Sequence, residues 1–526
     1  MSTRAELSTG EALVGLLEAY GVDTIFGIPG VHNVEMYRAL PRSKIKHILV
    51  RHEQGAGYMA DGYARATGKP GVCFTITGPG LLNILTPLGQ AWSDSSSVLV
   101  ISSALDVGDA AQGRGRLHEM LDQRGAAATV TSLHMRAYTP KDVRDCIARA
   151  FANFACARPR PAYLEIPLDL LKVPAGAGWT ARPLPAKPIA DPTQISAAAK
   201  KLNAAKTPIM LLGGGALDAG NVAMAIAEKL GCAILTTTAG KGAVRADHPL
   251  CLGYCLGDPQ IHQALLASDC ILAVGTELSE TDFWSPAVLI EKNLIRIDLD
   301  PAAIARPHTA EIPILGDAKA ALEAINALII TTKAKAAPIK RESGEDDALR
   351  IMLAKVLGTI REALPEDTVI ASDMTQIAYA GNVIFPMNTP RTWLHPVGFG
   401  TLGFGLPAGI GAKFGVGKKP VAVMIGDYGI QFTINELGTA AEHKLPLVVL
   451  MWNNNALGQI RDDMVQKGIQ PNAVTLKNPD FQMLAKAYGV IAEKPASLQA
   501  LAIAIKSALV AAGPTLIEMT PAIVNG

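Results

Sequence analysis

Gly426-Asp427-Tyr428-Gly429 closes one apolar run and Asn453-Asn454-Asn455 closes the next, so a carboxylate is followed 27 positions later by a carboxamide in the same kind of place. One carboxylate, one carboxamide oxygen and one backbone carbonyl form part of a hard oxygen shell. Mg²⁺ takes such a set when phosphate oxygens and water complete its octahedron. The implied chemistry is the anchoring of a diphosphate through a divalent ion. Either piece alone reads as a turn or a polar cap; together, at this separation, they point to a ligand.

The elements that must position them are legible nearby. Pro420 to Ile425 is a short apolar run suited to a strand buried on both faces, Phe432 to His443 reads as a helix, and Leu445 to Trp452 as the next strand. A right-handed crossover brings both strand ends to one edge of the sheet, where Asp427 and Asn454 meet.

This arrangement resembles the diphosphate-anchoring motif of the thiamine-diphosphate-dependent enzymes, the group of pyruvate decarboxylase, benzoylformate decarboxylase and acetolactate synthase. The segment Arg51 to Arg65 is similar to the one that carries their activating acid, with Glu53 at the matching position. Gly398 to Pro407 resembles the turn that grips the aminopyrimidine ring, and the likeness runs from Phe26-Gly27-Ile28-Pro29-Gly30 to the last strand. The resemblance implies thiamine diphosphate and Mg²⁺ as cofactors, with Asp427, Asn454 and the carbonyl of Ala456 as metal ligands. It implies Glu53 as the acid that hydrogen-bonds the pyrimidine nitrogen, Gly400 as a carbonyl partner of the cofactor amine, and Leu402 as the apolar wedge beneath a bent cofactor. Pro29, Thr77, Asn83, Thr375, Gln376, Tyr428, Gly429 and Leu457 complete the implied cofactor-binding set. Tyr428 stands where the family has glycine, which predicts a turn that cannot easily take positive φ at that residue.

The loop Thr77 to Asn83 is more like that of acetolactate synthase, and His118 falls where that branch has a glutamine. His118 is therefore the candidate catalytic group for protonating the product carbon after CO₂ leaves, or else a polar contact. Asn455 to Met464 most resembles the 5-guanidino-2-oxopentanoate decarboxylases. A guanidinium tail needs carboxylates, and Asp462, Asp463, Glu119 and Asp122 are available, each also readable as a solvated charge. Decarboxylation of a 2-oxo acid is the first reading; an acetolactate synthase-type carboligase joining two oxo compounds, with FAD in its central domain, is the alternative. A catalytically silent subunit would have lost Glu53 or the Asp427 and Asn454 pair, and all three are present.

At 526 residues the chain exceeds a single core. Pro- and Gly-rich residues 174–192 and the polar run Thr331 to Asp347 divide it into three expected α/β domains, each a doubly wound parallel sheet. These are a pyrimidine-binding domain (1–180), a central Rossmann-like domain (190–335) and a diphosphate-binding domain (345–526). Gly68-Lys69 before Val72 to Thr77 echoes Gly417-Lys418 before Val421 to Ile425, a faint repeat that makes the first and last domains alike. In the middle third, Pro208 to Leu212, Ala233 to Thr237, Cys270 to Val274 and Leu294 to Leu299 read as strands, and Gly213-Gly214-Gly215 as a tight turn without GxGxxG spacing.

Lys and Arg number 48 against 47 Asp and Glu, so charge advertises neither nucleic acid nor a membrane surface. Seven scattered Cys, without a CxxC pair, fit reduced thiols. With no span-length apolar run and no signal-peptide layout, a cytoplasmic enzyme is expected. Because Glu53 and the metal ligands belong to different domains, the resemblance implies a homodimer or homotetramer whose sites lie at the subunit interface.

Overall fold

Runs such as Val98–Ala104 and Val421–Gly426, without polar alternation, are buried along their whole length. Such strands belong in parallel sheets covered by helices on both faces, and the computed structural model has three of them. It describes residues 6–284, 290–331, 339 and 348–525. Apart from Thr331 and Ile339, the expected second linker lies outside the described residues.

The first sheet contains β1 (Thr24–Gly27), β2 (Lys46–Leu49), β3 (Gly71–Thr75), β4 (Val98–Ala104), β5 (Leu133–Arg136) and β6 (Ala162–Pro167), in the order β2-β1-β3-β4-β6-β5. The second contains β7 (Pro208–Leu212), β8 (Ala233–Thr236), β9 (Cys251–Gly253), β10 (Cys270–Val274), β11 (Leu294–Asp298) and β12 (Ile312–Leu315), ordered β12-β11-β10-β7-β8-β9. The third contains β13 (Val369–Ser372), β14 (Trp393–Leu394), β15 (Val421–Gly426), β16 (Leu447–Trp452), β17 (Ile491–Glu493) and β18 (Thr515–Met519), ordered β14-β13-β15-β16-β18-β17. The first and third orders are the same, so the faint sequence repeat is a repeat of topology. The second has the order of a doubly wound dinucleotide-type sheet. β9 and β12, short and only partly buried, were not among the expected strands.

Six helices matter for the site: α1 (Glu53–Thr67), α2 (Pro79–Ser93), α3 (Gln376–Ile384), α4 (Gly405–Val416), α5 (Glu436–Glu442) and α6 (Gly458–Gln466). The helix expected from Phe432 starts instead at Glu436. Gly429–Phe432 forms a tight 3₁₀ turn, and the N–H of Glu436 donates to the Thr433 carbonyl at 3.0 Å, a short-range turn rather than helical continuation.

One core joins the first and last domains. Tyr58, Met59, Ala60, Phe404, Leu406, Ala408, Ile410, Val423 and Val449 are buried in a single cluster. α1 and α4 cross within it at backbone distance. A side chain at Gly62 would overlap the Ala408 carbonyl, and one at Gly411 the Met59 carbonyl. The seven cysteines are all free, and among the described residues no helix is long and apolar enough to cross a membrane.

Candidate cofactor site

In open parallel sheets, ligands bind beyond the strand C-termini where the strand order reverses. In the third sheet that point lies between β13 and β15. The loop after β13 brings Asp373, Thr375 and Gln376, the loop after β15 brings Asp427, Tyr428 and Gly429, and the end of β16 adds Asn453 to Leu457. They are tightly interlocked: a side chain at Gly429 would come 2.8 Å from Asp373 Oδ1, and one at Gly426 3.0 Å from Thr375 Oγ1.

Asp427 is buried, 3% exposed. Its Oδ1 accepts the N–H of Tyr428 at 2.9 Å and its Oδ2 the amide of Asn478 at 2.7 Å. Burial pushes its carboxyl up, against the lowering pull of these neutral donors. No ion pair to Asp427 occurs among the described residues, so its charge has no cationic partner among them. Asn454 donates to Gln376 Oε1 at 3.0 Å, while its own oxygen accepts the N–H of Ala456 at 3.2 Å. No cluster of three or more His, Cys, Asp or Glu side chains suited to a metal occurs among the described residues. A cation here would therefore rest on one carboxylate plus amide, carbonyl and diphosphate oxygens, a set that suits Mg²⁺. Tyr428 has φ −81°, an ordinary helical value, so no positive φ is demanded of it. The concern raised by the missing glycine does not arise.

The loop that carries Gly400 and Leu402 is held from two sides. Asp373, fully buried, accepts the N–H groups of Met374 at 2.9 Å, Gly403 at 3.2 Å and Gly405 at 2.7 Å. Burial pushes its carboxyl up to about 6 even so. Gly400, at φ +62°, takes a turn that favours glycine. From the first domain, Gln90 accepts the N–H and hydroxyl of Thr401 at 3.2 and 2.9 Å, and Asp94 accepts the N–H groups of Val397 and Gly398 at 3.0 and 2.9 Å. Leu402 itself is half-buried.

Glu53 begins α1 and is 7% exposed. Asn83 donates to its Oε2 at 3.0 Å, and a side chain at Gly80 would come 3.4 Å from its Oε1. Glu53 therefore sits over the first turns of α2, whereas Gln90 and Asp94, which hold the Leu402 loop, lie at its other end. From Gly80 to Gln90 a helix rises about 15 Å, so the contacts of Glu53 and those of the Leu402 loop fall at opposite ends of α2. Thr77 is buried, and its hydroxyl lies 2.9 Å from Ser103 Oγ beside a small cavity shared with Gln123 and Arg136. Pro29 is exposed in the loop after β1. His118 stands against Gly78, the residue that caps α2.

Of the acids considered for a guanidinium, Glu119 accepts the N–H groups of Gly113 and Arg116 at 2.7 and 3.0 Å, and Asp122 caps the helix Gln123–Ala128 through Gly125 at 2.8 Å. Both are engaged locally. Asp462, on α6, accepts from Gln376 at 2.9 Å, which ties it through Gln376 to Asn454, and Asp463 lies one residue on. Asp373, Asn478 and Glu436 escaped the sequence reading. Glu436, buried on α5, accepts the backbone N–H groups of Arg51 and His52 just before Glu53, at 3.0 and 3.1 Å. In the central domain, Gly213 and Gly215 pack on Gly275, and the N–H of Gly215 donates to its carbonyl at 3.0 Å. Those glycines serve the packing of two loops.

Three α/β domains, two of equal topology, with a buried carboxylate and an amide at one switch point and a buried acid beside the other, define a cofactor-binding enzyme scaffold. Residues 7–126 match the N-terminal TPP binding domain of thiamine pyrophosphate enzymes, residues 195–325 the central domain and residues 373–519 the C-terminal TPP binding domain. The chain is 45% identical over 530 residues to "Probable 2-ketoarginine decarboxylase AruI" of Pseudomonas aeruginosa, covering 99% of this chain and 95% of that one. It is 32% identical over 550 residues to "Probable acetolactate synthase large subunit" of Methanocaldococcus jannaschii, covering 97% and 91%. Its fold matches a crystal structure from Mycobacterium smegmatis, described as a "putative thiamin diphosphate-dependent enzyme", with TM-score 0.86, 24% identity and coverage of 98% and 99%. The chain belongs to the thiamine pyrophosphate enzyme family.

Proposed function

We propose that this chain is a Mg²⁺- and thiamine-diphosphate-dependent decarboxylase of a 2-oxo acid, with 5-guanidino-2-oxopentanoate as substrate. The observation that carries the reading is the end-to-end 45% identity to a relative named for 2-ketoarginine decarboxylation, against 32% to one named for acetolactate synthesis. The site is compatible with it. When bound, thiamine diphosphate supplies the electron sink for the bond to the leaving carboxylate. Asp427, Asn454 and the Ala456 carbonyl would hold the metal, and Thr375, Gln376, Tyr428, Gly429 and Leu457 would receive the diphosphate. Gly400 and Leu402 would hold the cofactor's ring, with Pro29, Thr77 and Asn83 on the side of Glu53, the acid that would hydrogen-bond it. Asp462, which already accepts from Gln376 and from the guanidinium of Arg461, and Asp463, which accepts from Gln459, are the acids nearest the cofactor residues for a guanidinium tail. The working division remains 1–180, 190–335 and 345–526.

The separation of Glu53 from Leu402 along α2 supports a site completed by a second copy, in a homodimer or homotetramer. Exposed apolar side chains flank the Glu53 edge, with Val31 at 70%, Leu82 at 50%, Leu117 at 59% and Leu121 at 89%. Burying such groups favours association.

The test is CO₂ release from a panel of 2-oxo acids with thiamine diphosphate and Mg²⁺. Release from 5-guanidino-2-oxopentanoate well above that from pyruvate is expected. Turnover only with a second oxo compound, or a yellow protein carrying FAD, would favour the carboligase, and no release from any acid would overturn both.

A further inference from the structure

The loop after β1 carries His32, and the loop between β4 and the helix at Gln123 carries His118. The fold sets their rings edge to face with centroids 4.9 Å apart. The Nδ1 atom of each ring is buried and lacks a hydrogen-bond partner within the described residues. Burying one polar nitrogen unpaired is costly, and two side by side call for a reason beyond packing. The place supplies one. The pair lies where the first sheet reverses its order, between β1 and β3, the crevice of that sheet where a ligand fits. A side chain at Gly78 would come 2.6 Å from the His118 carbonyl, so His118 rests on the cap of α2. Glu53 covers the next turn, at Gly80 and Asn83.

The geometry is enforced from both loops. Buried Asn33 accepts the N–H of Gly30 at 2.7 Å and donates to the Ile28 carbonyl at 3.1 Å, which fixes the turn that presents His32. His118 takes φ +63°, unusual for a side-chain-bearing residue. The charged neighbours are few: Asp106, after β4, acts on His32, and Glu119 beside His118 is turned onto the N–H groups of its own loop.

On the decarboxylase reading above, we propose that His32 and His118 form one proton-holding pair that delivers the proton consumed in the reaction, His32 acting through His118. The bond to the carboxylate breaks, CO₂ departs, and the electron pair left on the former carbonyl carbon forms a C–H bond with that proton. The pair regains its proton from water. Two imidazolium charges this close repel, so the pair holds one proton at a time. Burial first, and then the neighbouring His118, lower the proton affinity of His32, against the raising pull of Asp106.

The experiment compares His32→Gln, His118→Gln and the double variant by the kcat–pH profile for aldehyde formation from 5-guanidino-2-oxopentanoate, with calorimetric thiamine diphosphate affinity in Mg²⁺ as the check on folding. The expected result is a loss in kcat of about 10²-fold in each single variant, no larger loss in the double, and disappearance of the wild-type alkaline limb from all three while cofactor affinity holds. The pair is overturned if His32→Gln leaves that limb in place, or if the two losses multiply in the double variant. A wild-type chain that releases no CO₂ from any 2-oxo acid overturns the decarboxylase reading itself, and this proposal with it.

Discussion

Glu436 and His52 are joined by a 3.1 Å hydrogen bond from the backbone N–H of His52 to Oε1 of a carboxylate in the last domain. The same oxygen takes the N–H of Arg51, and Thr439 donates to the other oxygen at 2.6 Å. A side chain at Gly55 would overlap this carboxylate. The first turn of α1, with Glu53 at its head, is thus pinned by one buried acid.

Burial pushes the Glu436 carboxyl from the usual 4.5 up to about 7. Between those values the folded chain holds a proton that the unfolded chain has lost. Its contribution is full below 4.5 and fades as pH rises through about 7, by up to about 1.4 kcal/mol per pH unit. Urea melts from pH 4.5 to 7 should show a flatter slope in Glu436→Gln than in the wild type. Equal slopes would remove Glu436 as the titrating group.

Asp427→Ala removes the carboxylate that lies buried without a cationic partner among the described residues. Thiamine diphosphate affinity should fall by at least about 10²-fold and lose its dependence on Mg²⁺, while melting stays near wild type because a buried, uncompensated charge has gone. Calorimetry with and without Mg²⁺ reads both; retained Mg²⁺ dependence would move the metal elsewhere.

Glu53→Gln should bind the cofactor yet lose turnover by about 10²- to 10⁴-fold. Mixed and re-equilibrated with Asp427→Ala, it should regain part of the lost activity, since each hybrid contains one site with both wild-type groups. A mixture no better than its components would place both groups of a working site in one chain.

How much of this was readable in advance depended on whether a residue acts through local pattern or through tertiary contact. Asp427 and Asn454 end consecutive buried parallel strands, and parallel crossovers bring such ends together whatever the rest of the chain does. The strands at Pro208–Leu212 and Cys270–Val274 were legible to the residue for the same reason. Asp373, Asn478 and Glu436 carry no such mark. Each is one polar residue whose partners lie 30, 51 and 384 positions away, at Gly403, Asp427 and His52. His32 escaped likewise, because its partner His118 reaches it only through the folding of a separate loop. The start of α5 was misplaced because the tight turn at Gly429–Phe432 is set by packing on Asp373 and Gly403 rather than by propensity.

Gly411→Ala should be among the most damaging small changes in the chain. Its added methyl would overlap the Met59 carbonyl, where neither backbone yields easily. A loss of about 3 kcal/mol or more is expected, against little effect at Gly358, where the added group meets nothing within 4 Å. Denaturant melts of the two variants make the comparison.

Where α1 and α4 touch main chain to main chain, no room is left for side chains between them. The first and last domains of one polypeptide are therefore packed as one continuous block. Any opening that admits substrate and frees product has to come from the rims of that block, by the swing of its surface segments or by a shift between neighbouring copies.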